Sequence, residues 1–163
     1  MAPSILREGQ EPRPACLSCD FVLELNARVA VCTITTLEGG LILVRRGIEP
    51  KKGKWALPGG VVRRGETLPE AALRETRAEI NLRVGLTGIL DVYSSPGDDT
   101  VVAIYAADVL SPGPPEPGEE VLDVGVFAPE SIPWEDLAFD TTRAALRDYL
   151  RRFFPRTRFP KVS

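Results

Sequence analysis

Residues 60–82 read GVVRRGETLPEAALRETRAEINL, and the middle of this stretch carries the local marks of a helix. Thr67-Leu68-Pro69-Glu70 fits a capping box, in which Thr67 accepts from the third helical residue and Glu70 reaches back. Pro69 is tolerated in the first turn, where its missing N–H would have no partner. Leu68, Ala72, Thr76 and Ile80 then recur every fourth residue along one face. Asn81 stands where a helix end favours a residue that accepts left-handed dihedrals. Glu75 and Glu79 lie one turn apart and project as neighbours, so they repel unless basic residues or a cation compensate. Oxygen-only ligands favour a hard divalent ion such as Mg²⁺ or Mn²⁺. Arg74 points to another side and can reach back to Glu66, and Gly59-Gly60 lets the backbone approach a metal or phosphate closely. Spacing alone leaves a second reading open, in which Glu70, Arg74, Glu75, Arg77 and Glu79 form a solvated face of little consequence.

Outward from the helix the chain reads as strands. Ala27–Thr35 is rich in β-branched residues, and Gly39-Gly40 turns it into Leu41–Arg45. Trp55-Ala56-Leu57 is a short apolar piece that Pro58-Gly59-Gly60 breaks. Downstream, Arg83–Tyr93 and Thr100–Leu110 form strands around the turn Ser95–Asp98, Ser111–Gly118 is a loop, and Val121–Phe127 is a strand. Asp140 caps a final amphipathic helix whose apolar face is Leu146, Tyr149, Leu150, Phe153 and Phe154, and Pro155 closes it. Residues 1–15 hold three prolines and no periodicity, and read as an arm. Strands interrupted by two widely separated helices predict an α/β fold with a mixed sheet sandwiched between helices.

Composition narrows the chemistry. With 163 residues the chain fits one domain with a sizeable core. Twenty Lys and Arg against 23 Asp and Glu give a net charge of −3, which argues against an electrostatic nucleic-acid or membrane-surface binder. There is no histidine, so Ser-His-Asp and Cys-His activation and His-ligated zinc are excluded. Proton chemistry falls to carboxylates, Lys, Tyr, Cys or metal-bound water. No apolar run approaches a membrane span, no signal-peptide core opens the chain, and an odd number of cysteines suits a reducing, cytoplasmic setting.

The quoted stretch resembles the Nudix box, G-x5-E-x7-R-E-U-x-E-E-x-G-U, at Gly60, Glu66, Arg74, Glu75, Glu79 and Leu82. Trp55-Ala-Leu-Pro-Gly-Gly60 resembles the family's usual lead-in. Cys16-Leu-Ser-Cys19, Arg45 through Trp55, and Ile132 through Phe139 resemble a clade with an N-terminal zinc ribbon that cleaves ADP-ribose, FAD or NADH-type pyrophosphates. The resemblance implies an α/β/α sandwich and Mg²⁺- or Mn²⁺-dependent hydrolysis of a nucleoside diphosphate linked to another moiety. In it Glu79 is a metal ligand, Glu75 a ligand or the base that activates water, and the Gly60 carbonyl a further ligand. Glu66 and Arg74 orient the box. Glu120, in Gly118–Asp123, resembles the family's extra loop carboxylate for metal or base, against the alternative of a solvated acidic loop. Asp98 and Asp99 are weaker candidates for that role. A homodimer is implied by the same resemblance, with no nucleic acid or membrane partner. The expected organisation is an arm over 1–21 holding half a zinc ribbon, a Nudix domain over 22–155 and a tail over 156–163.

Three box positions depart from the pattern. Thr76 replaces an aliphatic residue but still packs through its methyl, and Asn81 replaces Gly as the next-best left-handed residue. Ala78 replaces a Glu that in the family helps hold the metal, so weaker metal binding or a catalytically impaired nucleotide-binding or regulatory module is the rival reading. Cys16 and Cys19 lack a second pair for a four-ligand Zn²⁺ site, so either two chains share one or the ribbon has decayed, and decay is favoured. Cys32 reads as a small buried hydrophobe. Trp134 and Phe139 are candidates for a base pocket or for the core. Lys51, Lys52 and Lys54 are candidates for phosphate contact or for a solvated loop. Arg45 and Arg46 alternate on a strand, so at most one faces a shared site.

Overall fold

The computed structural model describes residues 2–4, 13–19, 21–23 and 26–155. The expected tail, 156–163, lies outside them. The arm carries more order than its composition predicts, because β1 (Ala2–Ser4) and β2 (Arg13–Ala15) pair antiparallel. The main sheet contains β3 (Arg28–Leu37), β4 (Gly40–Arg46), β5 (Trp55–Ala56), β6 (Gly59–Val61), β7 (Val84–Tyr93), β8 (Thr100–Val109) and β9 (Val121–Phe127). It is mixed, since β3 pairs β8 in parallel while its other pairings are antiparallel. Among the described residues no helix is long and apolar enough to cross a membrane.

Alternation along β3 assigns one helix to each face. Val31 packs with Ala71 and Ala72 of α1 (Leu68–Ile80). Ile34 packs with Leu146, Tyr149 and Leu150 of α2 (Asp140–Phe153), together with Trp134 and Leu137. This is the α/β sandwich the sequence predicts. Trp134 therefore belongs to the core. Phe153, expected on the apolar face of α2, is 58% exposed, while Leu146, Tyr149 and Leu150 are buried.

Local signals place α1. Thr67 accepts from the Glu70 N–H, Glu70 accepts from Thr67, and Asn81 closes the helix at φ 55°. Thr76 does more than pack its methyl. Its hydroxyl lies 2.8 Å from that of Thr33, which lies 2.9 Å from that of Thr35, all three fully buried. The α2 start differs from expectation: the cap residue is Phe139, with no side-chain cap bond, and Asp140 is the first helical residue. Asp140 turns to Arg143 at 3.8 Å instead.

One departure in topology creates the cleft. β3 and β4 pair only beside their hairpin, at Thr36 with Leu41 and Leu37 with Gly40, over a turn in which Glu38 and Gly39 both have positive φ. Beyond that point β4 continues to β5 and β9, while β3 continues to β6 and β8. Residues 55–61 cross from one to the other, and the Thr33 N–H donates to the Pro58 carbonyl at 2.9 Å. Gly59 and Gly60, read as a break, thus form a strand on β3. Gly59 must be glycine, because a Cβ there would lie 2.1 Å from the Val31 carbonyl oxygen and 2.6 Å from the Cys32 Cα.

Candidate active site

Where β3 and β4 splay apart they leave a cleft of about 380 Å³. Glu75, Glu79 and Glu120 line it, with Gly59, Gly60, Cys32, Arg46 and Phe139. α1 supplies the first two carboxylates from one face, as their spacing requires. The Gly59 N–H donates to Glu79 at 3.0 Å. Gly60 leaves room for the Glu75 carboxylate, which a Cβ would meet at 2.6–2.8 Å.

Arg74 clamps the loop before α1. Its Nε and Nη2 donate to the two oxygens of Glu66 at 2.6 and 2.8 Å, a bidentate pair. Nη1 donates to Glu75, and Nη2 also reaches the Val61 carbonyl at 3.3 Å. One guanidinium thereby ties the loop, β6 and Glu75 together. The Arg74 bond, followed by the Arg63 N–H, lowers the Glu66 pKa to about 2. Arg74 is held protonated above its ordinary range, chiefly by Glu66.

Glu120 reaches the cleft by a different route. The Glu116 and Gly118 N–H groups donate to the Ile80 and Glu79 carbonyls at 3.0 Å each, docking the loop on the end of α1. The Asn81 amide adds bonds to the Glu116 and Pro117 carbonyls. Gly118 permits this approach, since a Cβ there would lie 1.8 Å from the Ala78 carbonyl oxygen. Gly47 then donates to the Glu120 carbonyl at 2.9 Å.

Burial, then the negative charges of Glu75 and Glu120, push the Glu79 pKa up to about 7 against the opposing Gly59 bond and Arg46 charge. Such carboxylate crowding is what a cation relieves. The carboxylate donor set fits a hard divalent ion. It is sparse, however: Ala78 contributes no oxygen, and among the described residues no three His, Cys, Asp or Glu side chains converge into a closed cage.

The other sequence candidates separate cleanly. Arg46 lines the cleft, whereas Arg45 turns to the Gly53 carbonyl. Phe139 lines the cleft and Trp134 does not. Lys54 pairs with Asp136, and Lys51 and Lys52 are exposed outside the cleft. Asp98 reaches the cleft, while Asp99 pairs with Arg28 at 3.2 Å. Cys16 and Cys19 sit side by side, and among the described residues no third metal-ligating side chain joins them. Sequence reasoning missed Cys32, which lines the cleft with its thiol pushed up to about 12, chiefly by burial and next by Glu79. It also missed Thr141 and Thr142, for which periodicity gave no signal.

The NUDIX domain model matches residues 25–153. This chain belongs to the Nudix family. The Nudix chain is also 35% identical, over 80% of its length and 78% of the relative's, to the ADP-ribose pyrophosphatase of Methanocaldococcus jannaschii. It is 38% identical over 50% of its length to the nucleoside triphosphatase NudI of Escherichia coli O139:H28, of which it spans 58%. A crystal structure of a NUDIX hydrolase from Nitrosomonas europaea superposes with a TM-score of 0.79 at 36% identity, covering 90% of this chain and 84% of that one. The Nudix assignment makes the chain a hydrolase.

Proposed function

We propose that this Nudix hydrolase cleaves the pyrophosphate bond of a nucleoside diphosphate linked to another moiety, with ADP-ribose, FAD or NADH as the substrate group. The observation that carries the reading is the crowding of Glu75, Glu79 and Glu120 in one cleft beside Gly59-Gly60, with Glu79 pushed up to about 7. The similarity to an ADP-ribose pyrophosphatase over most of both chains supports the substrate class. Glu79, Glu75, Glu120 and the Gly60 carbonyl would hold Mg²⁺ or Mn²⁺, which when bound neutralises pyrophosphate oxygens and acidifies water.

The residues' own work follows from their positions. Glu75, seated over Gly60 and steadied by Arg74, accepts the proton of a water attacking one phosphorus. The bond from that phosphorus to the bridging oxygen breaks, releasing a nucleoside monophosphate and the phosphorylated second moiety. Glu66 acts as a positioning residue through Arg74. Glu120, fixed by the docked 116–118 loop, supplements the acidic face that Ala78 leaves short. The reading includes a cytoplasmic homodimer, as the family resemblance implies.

Ala78 supports one rival, a nucleotide-binding module with impaired hydrolysis. Parallel assays on ADP-ribose, FAD, NADH and nucleoside triphosphates with Mg²⁺ and Mn²⁺, on wild type and Ala78→Glu, separate the two. The proposal expects wild-type cleavage of a diphosphate-linked substrate ahead of the triphosphates. Cleavage that emerges only in Ala78→Glu, with wild type merely binding, would transfer the assignment to the rival.

A further inference from the structure

The cleft extends beyond the α1 carboxylates to the start of α2. Phe139 occupies the cap position where Ser, Thr, Asp or Asn would accept from the second and third helical N–H groups, and it makes no cap bond. Those two residues are Thr141 and Thr142. Both line the cleft, they are only 7% and 4% exposed, and among the described residues neither hydroxyl has a hydrogen-bond partner. A buried hydroxyl left unpaired is costly, and the helix start adds partial positive charge from the same direction.

Arg46 completes the set from the opposite wall. Its Nε donates to the Pro50 carbonyl at 2.8 Å and its guanidinium lies 5.0 Å over the Phe139 ring, which orients it. No ion pair occupies the rest of its donor edge among the described residues. Glu49 and Asp98 also line the cleft, and both are exposed.

We propose that Arg46, Thr141, Thr142 and the N-terminus of α2 form a second, anion-binding subsite that takes a phosphate group of the substrate other than the two joined by the cleaved bond. A guanidinium fork, two hydroxyl donors and unpaired N–H groups match a phosphomonoester better than a neutral sugar. The inference rests on the pyrophosphatase reading and narrows it: ADP-ribose, FAD and NADH carry no phosphomonoester, so a diphosphate-linked nucleotide that bears one should be cleaved in preference to all three.

Inorganic phosphate titrated into ¹⁵N-labelled full-length protein in EDTA tests the subsite without turnover. The amides of Thr141 and Thr142 should shift saturably, with affinity falling at least tenfold in Arg46→Gln and severalfold in Thr142→Val, and recovering in Thr142→Ser. In the hydrolysis assay phosphate should then compete with substrate, and Arg46→Gln should raise KM more than it lowers kcat. Unmoved α2 amides, shifts indifferent to Arg46→Gln in a folded variant, or non-competitive inhibition would overturn the proposal. Phosphate binding without hydrolysis would leave the subsite standing and remove the pyrophosphatase reading. Hydrolysis without phosphate binding would do the reverse.

Discussion

Substituting Gly60 by Ala should separate catalysis from stability. Gly60 lies in β6 with no positive φ, so its backbone accepts alanine. The new Cβ would meet the Glu75 carboxylate carbon at 2.6 Å, whereas ordinary contact begins at 3.4 Å, so the carboxylate must retreat by roughly 0.8 Å. The obstacle is the free end of a flexible side chain, which can swing away without moving backbone. Loss of the Arg74–Glu75 contact is offset by about 0.4–1 kcal/mol of reduced unfolded-state entropy. Net stability should stay within about 1 kcal/mol, a shift of about 2–4 °C in Tm. A displacement near 1 Å of a group that must meet the attacking water costs on the order of 100-fold in kcat. Gly59→Ala is the contrast, because its Cβ runs into Val31 and Cys32 backbone. There β3 and β6 must part, at about 2–4 kcal/mol from lost ladder bonds and strain. Thermal unfolding and steady-state kinetics on both variants suffice. Full activity in Gly60→Ala would refute the role given to Glu75, and unfolding of Gly60→Ala to the extent of Gly59→Ala would refute the claim that the carboxylate can yield.

Three more outcomes follow from the buried polar groups and the clamp. Thr33→Val leaves the Thr35 and Thr76 hydroxyls unpaired and should cost about 2–4 kcal/mol in urea unfolding, against about 1 kcal/mol for Thr76→Val, which leaves the Thr33–Thr35 bond intact; equal costs would deny Thr33 its central place. Because the Glu66 pKa is lowered in the fold from 4.5 to about 2, its contribution is fully present above about pH 4.5 and is lost as pH falls toward 2. The Tm gap between wild type and Glu66→Gln should therefore be constant from pH 8 to 5 and close on further acidification, and a gap unchanged at pH 2 would contradict the ion-pair origin. With its pKa pushed up to about 12, Cys32 should resist iodoacetamide in the native protein at pH 8 while the exposed Cys19 is alkylated, as peptide mass mapping would register; equal labelling would mean that the cleft floor opens readily.

What was legible in the sequence was whatever its physics kept local. The α1 capping box, its four-residue apolar spacing and the left-handed Asn81 act within a few residues of one another, and each is found in the structure as read. The β-branched run of β3 was equally legible, and strands interrupted by two widely separated helices gave the mixed sheet between them. The Gly59-Gly60 strand was not, since its meaning depends on pairing with Cys32 and Val31, almost thirty residues away. A longer separation, 43 residues, hid the reason Thr76 tolerates its hydroxyl, which is Thr33. Asp140 misled because composition marks it as a cap, yet the cap lies one residue earlier, at Phe139, whose ring serves Arg46. Cys32 looked apolar in its strand and acquires a place in the cleft only because β3 and β4 splay.

The central claim is that the α1 carboxylates, with a divalent ion, hydrolyse a diphosphate-linked nucleotide. Its most direct test follows AMP release from ADP-ribose by the wild-type protein and by Glu79→Gln, each with Mg²⁺, with Mn²⁺ and with EDTA. Wild-type cleavage that needs the metal and falls by at least about 100-fold in the variant, which should remain folded, is the predicted result. Cleavage of equal rate in Glu79→Gln, or cleavage that survives EDTA, would contradict it.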